Sequence, residues 1–239
     1  MRQYHRLSKS GVQDWLTAAR LTVIVGHFGS GKTEVSLNLA RALAGRGLPF
    51  SLADLDVVDP YFRSRECRAR LESWGGRLIA SSQACLDADV PSMPPDVMAL
   101  FDDESRYGIL DVGGDASGAR VLARYSRRLR AAGARVLCVV NANRPLTDTP
   151  EKTVSYIRGI EQAAKIPVDG LINNTHLCDL SDSSDAMKGA EMAKEVSRMT
   201  GLPIVCHAVA EELAPEAKLF LSPVFPLELY LKKPWEQGA

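Results

Sequence analysis

Seven short apolar runs recur along the chain with segments of helical period between them. The runs are LTVIV (21–25), PFSLA (49–53), RLIAS (77–81), YGILDV (107–112), RVLCVV (135–140), VDGLIN (168–173) and PIVCHAV (203–209). They are continuous rather than alternating, as strands covered on both faces should be. Between them, Val35, Leu39, Ala42 and Leu43 mark one helix face ahead of Gly45. Val121, Leu122, Tyr125, Leu129 and Ala132 mark a second before Gly133, and Met187, Ala190, Ala193, Val196 and Met199 a third before Gly201. The rhythm predicts an α/β fold: a doubly wound, mostly parallel sheet of seven or eight strands in one domain over 1–239, with an N-terminal extension (1–20) and a C-terminal tail (222–239).

Composition narrows the setting. Apolar residues make up 46% of the 239, enough for a sizeable core, and Lys plus Arg equals Asp plus Glu at 29 each. No global charge points to nucleic acid or a membrane surface. The five cysteines lie far apart without a C-x-x-C pair, which suits reduced thiols in cytoplasm. The first twenty residues lack an apolar signal core, and no apolar run reaches the roughly 18 residues of a membrane span. A soluble, cytoplasmic protein is expected.

The candidate chemistry begins after the first run. Gly26-His27-Phe28-Gly29-Ser30-Gly31-Lys32-Thr33 fits G-x-x-x-x-G-K-[ST], with a strand before it and a helix after it. In that context backbone N–H groups and the helix N-terminus, including the first turn at Glu34, cradle phosphates. Lys32 would neutralise the β- and γ-phosphates and the Thr33 hydroxyl would ligate Mg²⁺. The second strand ends in Asp54-Leu55-Asp56 and the fourth in Asp111-Val112-Gly113-Gly114. Asp111 can hold Mg²⁺ through a water, and the Gly114 N–H can sense the γ-phosphate. After the sixth strand, Asn173-Asn174-Thr175-His176 lacks the N-K-x-D of guanine recognition, with His176 in place of its Asp. Because Asn173 can pair with the adenine edge, ATP is expected over GTP.

These residues resemble the ParA/MinD group of P-loop ATPases, relatives of the nitrogenase iron protein and of CobQ/CobB nucleotide-binding domains. The resemblance runs from about residue 20 to about residue 210. GHFGSGKTEVSLNLA, DLDVVDPYFRSRE and GLINNTH look closest to one branch of ATP-binding proteins. It implies that Asp56 orients the attacking water, that Asp54 supports the Mg²⁺ shell and that Asp111 opens switch II. It also implies ATP hydrolysis coupled to dimer geometry or to a protein partner. One departure stands out: the group carries a signature Lys at the cradle's second residue, reaching across a dimer, and here that residue is His27.

Other features leave choices open. Arg63 and Arg65 could contact phosphate or an anionic ligand, or belong to a solvated face with Arg68 and Arg70. Around the stripe Arg120, Arg124, Arg127, Arg128 and Arg130 aromatics for stacking on bases are nearly absent and the net charge is zero, so nucleic acid is not expected. The loop DADVPSMPPD (87–96) is either a recognition loop or a plain crossover. His176, Cys178 and Asp179, like Cys206-His207, fall short of a full tetrahedral set. The tail around Pro226 and Pro234 should pack on the domain rather than hold a membrane. Three functions follow: an Mg²⁺-dependent ATPase switch acting on a protein partner, an ATP-dependent ligase or kinase for a small carboxylate metabolite, or a module that holds ATP without turnover.

Overall fold

The computed structural model describes residues 15–55, 60–80, 95–114 and 116–231. All seven predicted strands form: β1 (Leu21–Gly26), β2 (Phe50–Leu55), β3 (Arg77–Ala80), β4 (Tyr107–Val112), β5 (Arg135–Val140), β6 (Gly170–Asn173) and β7 (Ile204–Ala210). An eighth, β8 (Val224–Leu227), comes from the predicted tail. The order is β3-β2-β4-β1-β5-β6-β7-β8, and every pairing is parallel. The helices are α1 (Lys32–Gly45), α2 (Pro60–Ser73), α3 (Ala99–Asp102), α4 (Ala116–Ala131), α5 (Pro150–Ala164), α6 (Ser183–Thr200) and α7 (Ala214–Ala217).

Alternate strand residues feed two cores, as the pleat requires. Val23, Val25, Leu110, Val112, Val136 and Cys138 pack under α4 and α5 with Leu122, Leu129, Ile157 and Ile160. Ile24, Leu52, Ile109, Leu137 and Val139 meet Val35, Leu39 and Leu43 of α1 on the other face. The helix ends follow local chemistry. Thr149 caps α5 by accepting from the Lys152 N–H, with Pro150 at its start. Asp182 and Asp185 form a capping box on α6.

The two ends of the described chain meet the same side of the sheet. Trp15 is buried and stands edge-on to Phe225 of β8 at 5.3 Å between ring centres. Beyond β8 the chain straps across α1: Asn38 donates to the Glu228 carbonyl and accepts from its N–H, both at 2.9 Å. The Tyr230 and Leu231 N–H groups donate to the Glu34 carboxylate, and the Arg70 guanidinium lies 4.6 Å over the Tyr230 ring. The described part of the expected tail, residues 222–231, therefore packs on the domain. The α4 arginines form an exposed surface on which Arg128 pairs with Asp102 at 3.9 Å and Arg130 donates to the Lys165 carbonyl.

Asn38 is almost wholly buried. Replacing it with Ala leaves the Glu228 N–H and C=O short of partners, so Asn38→Ala should lower unfolding stability by about 2 kcal/mol. Urea denaturation checks this as a lower midpoint at unchanged slope.

Candidate functional site

The loop between β1 and α1 sits at the carboxyl end of the sheet, where doubly wound folds present ligand sites. Gly31 opens α1 in the left-handed region at φ 83° and no side chain caps the helix. A β-carbon there would stand 2.2 Å from Asn174 Nδ2, so glycine is required on both counts. The first helical bond runs from the Val35 N–H to the Gly31 carbonyl at 3.0 Å. The N–H groups of Lys32, Thr33 and Glu34 precede it, as the donors of a helix N-terminus do.

The outward side of the loop is held from two neighbours. Arg144 Nε donates to the Gly29 carbonyl at 2.9 Å and Asn141 Nδ2 reaches the same oxygen at 3.4 Å. Asn174 Nδ2 donates to the Ser30 carbonyl at 2.8 Å. Because the peptide unit is planar and trans, fixing the Ser30 carbonyl on one side turns the Gly31 N–H to the other. Asn141, fully buried just past β5, also brackets His176, accepting from its N–H and donating to its carbonyl.

Lys32 is 7% exposed, with Nζ 3.4 Å from the His27 carbonyl. Thr33 follows it half-buried in the first turn. Asp54 and Asp111 are register partners on β2 and β4, and Asp111 also pairs in register with Ile24 of β1. They share the sheet face of Leu52, Ile24 and Ile109, the face that α1 covers. Residues on adjacent parallel strands are about 5 Å apart at the backbone, which places the two carboxylates on one patch of that face. Such hard oxygen donors with the Thr33 hydroxyl suit Mg²⁺, which takes one or two carboxylates and completes its shell with phosphate and water. Among the described residues no three His, Cys, Asp or Glu gather into a metal set of their own.

Gly114 closes the site from the β4 side. A β-carbon on it would lie 2.6 Å from the Phe28 N and 3.0 Å from Lys32 Nζ, so the chain after β4 presses on the cradle and its lysine together. The Tyr156 hydroxyl of α5 donates to the Gly114 carbonyl at 3.2 Å. The Tyr156 ring meets the His27 ring edge-on at 5.7 Å, and His27 Nδ1 donates to the Phe28 carbonyl at 2.8 Å. His27 is thus tied down within its own subunit.

Two expected residues spend their side chains on contacts away from the loop. Asn173 is buried away from the cradle: its amide donates to the Ala186 carbonyl and to His207 Nδ1, and its Oδ1 accepts from the Thr175 N–H and hydroxyl. Its amide ties α6 to β7 and its carbonyl ties down the loop after β6, and its neighbour Asn174 is the one at the cradle. Glu34 directs its carboxylate to the terminal strap, leaving only its backbone for phosphate. Gly26 ends β1 and the remaining cradle residues Phe28, Gly29 and Ser30 lie in the loop itself. Asp56 and the acidic loop as far as residue 94 lie outside the described residues, as do the side chains of Arg63, Arg65 and Asp179. Sequence reading missed Asn141, Arg144, Asn174 and Tyr156. The available signal was N-A-N-R directly after β5, at the sheet edge that carries the cradle.

A cleft adjoins the cradle between the loop after β6 and the end of β7, lined by Gly31, Asn174, His176, Ala208, Ala210 and Leu213. His176 Nδ1 accepts from the Cys178 N–H at 3.2 Å. Burial, with the Arg144 charge added, pushes the imidazole down to about 4, against a smaller opposite pull from Asp185. Burial likewise lowers His207 and raises the Cys138 and Cys206 thiols.

No protein-family model matches the chain, and no curated protein matches it either. Solved structures do. The cell division protein FtsY of Thermotoga maritima is 22% identical with a TM-score of 0.51, over 77% of this chain and 59% of that one. FtsY of Mycoplasma mycoides is 17% identical at 0.50 over 78% and 59%, and chloroplast FtsY of Physcomitrella patens 19% identical at 0.50 over 78% and 57%. The chain thus spans under two thirds of the length of these proteins. The likeness establishes the fold, the α/β architecture of P-loop nucleoside triphosphatases. It stops short of the ParA/MinD group that the motifs resemble.

A histidine lowered in the fold is protonated first in the unfolded chain, so acid favours unfolding. Stability from His176 is full above pH 6.5 and is lost as pH falls toward 4, by up to about 3 kcal/mol. Thermal melts of wild type and His176→Phe between pH 7 and 4.5 should therefore converge on acidification. Parallel curves would refute it.

Proposed function

We propose that the chain binds and hydrolyses a nucleoside triphosphate, ATP, with Mg²⁺, and uses the change of state to act on a protein partner. The observation that carries this reading is the three-way contact of Gly114, Lys32 and the cradle at Phe28. A γ-phosphate held by Lys32 lies beside the backbone of Gly114, so its departure alters what that segment rests on. Gly114 in turn accepts from Tyr156 of α5, which offers a route from the phosphate to the outer helices.

Bound Mg²⁺ would supply charge neutralisation at the phosphates. Thr33, Asp54 and Asp111 are the residues to hold it, and the N–H groups of the cradle orient the phosphate chain. The role of Asp56 in orienting water rests on the resemblance to ParA/MinD ATPases. The FtsY likeness supports the nucleotide-binding fold. Adenine rather than guanine is supported by the absence of N-K-x-D, and guanine is the competing outcome of the binding test.

The partner surface is proposed at the same sheet edge. Loops after β1, β5 and β6 expose Phe28 (67%), Leu146 (58%) and Leu180 (82%), apolar side chains on the loops at the end of the sheet that carries the cradle. With His27 held by Phe28 and Tyr156, a homodimer bridged by that residue requires it to leave both. No described helix is long and apolar enough to cross a membrane.

Lys32→Ala removes the buried ammonium and should weaken Mg-ATP binding at least about 100-fold by calorimetry. Wild-type affinity in that variant would sink the site. Asp56→Asn should retain binding and lose hydrolysis. Light scattering of Asp56→Asn with Mg-ATP and with Mg-ADP reads the assembly. A monomer in both, with turnover raised only by a partner, is the outcome expected from the His27 geometry, and a dimer formed with ATP alone would replace it with a homodimer switch.

A further inference from the structure

We propose that His176 is the base-selecting residue of the site: its Nε2–H donates to a ring nitrogen of the adenine in the cleft, while Asn174 Oδ1 accepts from the exocyclic amine. The proposal rests on the reading of the chain as an ATP-binding protein and adds the residue that chooses the base.

The tautomer follows from the hydrogen bonds. Nδ1 accepts from the Cys178 backbone N–H, so a neutral ring carries its proton on Nε2. The ring is neutral at physiological pH because burial and the nearby Arg144 resist a second proton. Nε2 is buried without a hydrogen-bond partner among the described residues. Buried N–H groups in folded proteins have partners, so this one is built for an acceptor that arrives from outside. It points at the first turn of α1: a β-carbon on Gly31 would be 3.2 Å from Nε2 and 2.2 Å from Asn174 Nδ2. Two side chains from the loop after β6 therefore converge where the cradle meets the cleft.

The position is fixed rather than adaptable. Asn141 brackets the His176 backbone from both sides. Asn174 is oriented by its Nδ2 donating to the Ser30 carbonyl, which leaves its Oδ1 as the remaining acceptor. The pair thus presents one donor and one acceptor. Adenine offers an amine donor next to a ring-nitrogen acceptor on either edge. Guanine offers two acceptors on its Hoogsteen edge, and on the other it adds a second donor that needs a carboxylate. The carboxylate nearest in sequence that lines the cleft, Asp182, is engaged by the Ser184 N–H and hydroxyl and the Asp185 N–H.

The test is calorimetric binding of Mg-ATP, Mg-GTP, 1-deaza-ATP and 7-deaza-ATP to wild type, His176→Phe and His176→Gln. Wild type should prefer ATP, and should lose about tenfold on whichever deaza analogue lacks the contacted nitrogen. His176→Phe should lose about the same factor for ATP and show no difference between ATP and that analogue, the signature of a direct pair. His176→Gln, which restores an N–H donor, should recover most of the ATP affinity and shows that the Phe variant's loss is not misfolding. Undiminished ATP affinity in His176→Phe, or equal sensitivity of both proteins to the analogue, overturns the proposal while leaving the ATP-binding reading intact. A wild type that binds GTP in preference to ATP, or neither, overturns both.

Discussion

A phosphate cradle works only if its N–H groups stay turned inward when no anion holds them there. In this protein that condition is met from outside the loop. Arg144, Asn141 and Asn174 hold the Gly29 and Ser30 carbonyls on the far side. Each donor sits at the carboxyl end of a strand on one side of β1, so the parallel sheet itself delivers them. The arrangement is preorganised in the sense that matters for electrostatic binding: the dipoles are already oriented and little is reorganised when charge arrives.

The other side of β1 carries the carboxylates and the glycine that meets the cradle. Asp54 and Asp111 lie in register under the start of α1, and Gly114 leans on Phe28 and Lys32. β1 thereby divides the two sets of groups: the residues that hold the cradle carbonyls follow β5 and β6, and the carboxylates lie on β2 and β4. His27 and Tyr156 join the halves, because α5 follows β5 yet its tyrosine reaches Gly114 after β4.

Much of the fold was legible because both-face burial leaves continuous apolar runs, and the seven read from the sequence became β1 to β7. β8 was not legible. Val224–Leu227 holds Pro226, a residue tolerated because β8 is the edge strand and one ladder donor there can be missing. The cradle was legible because its spacing is fixed by the strand-to-helix turn, and the positions of Asp54 and Asp111 because each stands at the end of an apolar run, one residue before its strand ends. The Asn173 side chain meets α6 and β7 rather than the cradle for a reason of parity. Neighbours at a strand end face opposite sides, and nothing in N-N-T-H says which asparagine faces the cradle. Asn141 and Arg144 were silent because their task is to hold backbone oxygens 112 and 115 residues away in sequence, and no local pattern encodes a partner at that separation.

The contact between the two ends of the described chain has a consequence for folding. Trp15 finds Phe225, and the strap across α1 is fixed on Glu34 and Asn38 from residues 228 to 231. Contacts of such sequence separation must close a long loop before they are rewarded, so the helix that follows the cradle gains its outer cover late in the folding of this chain.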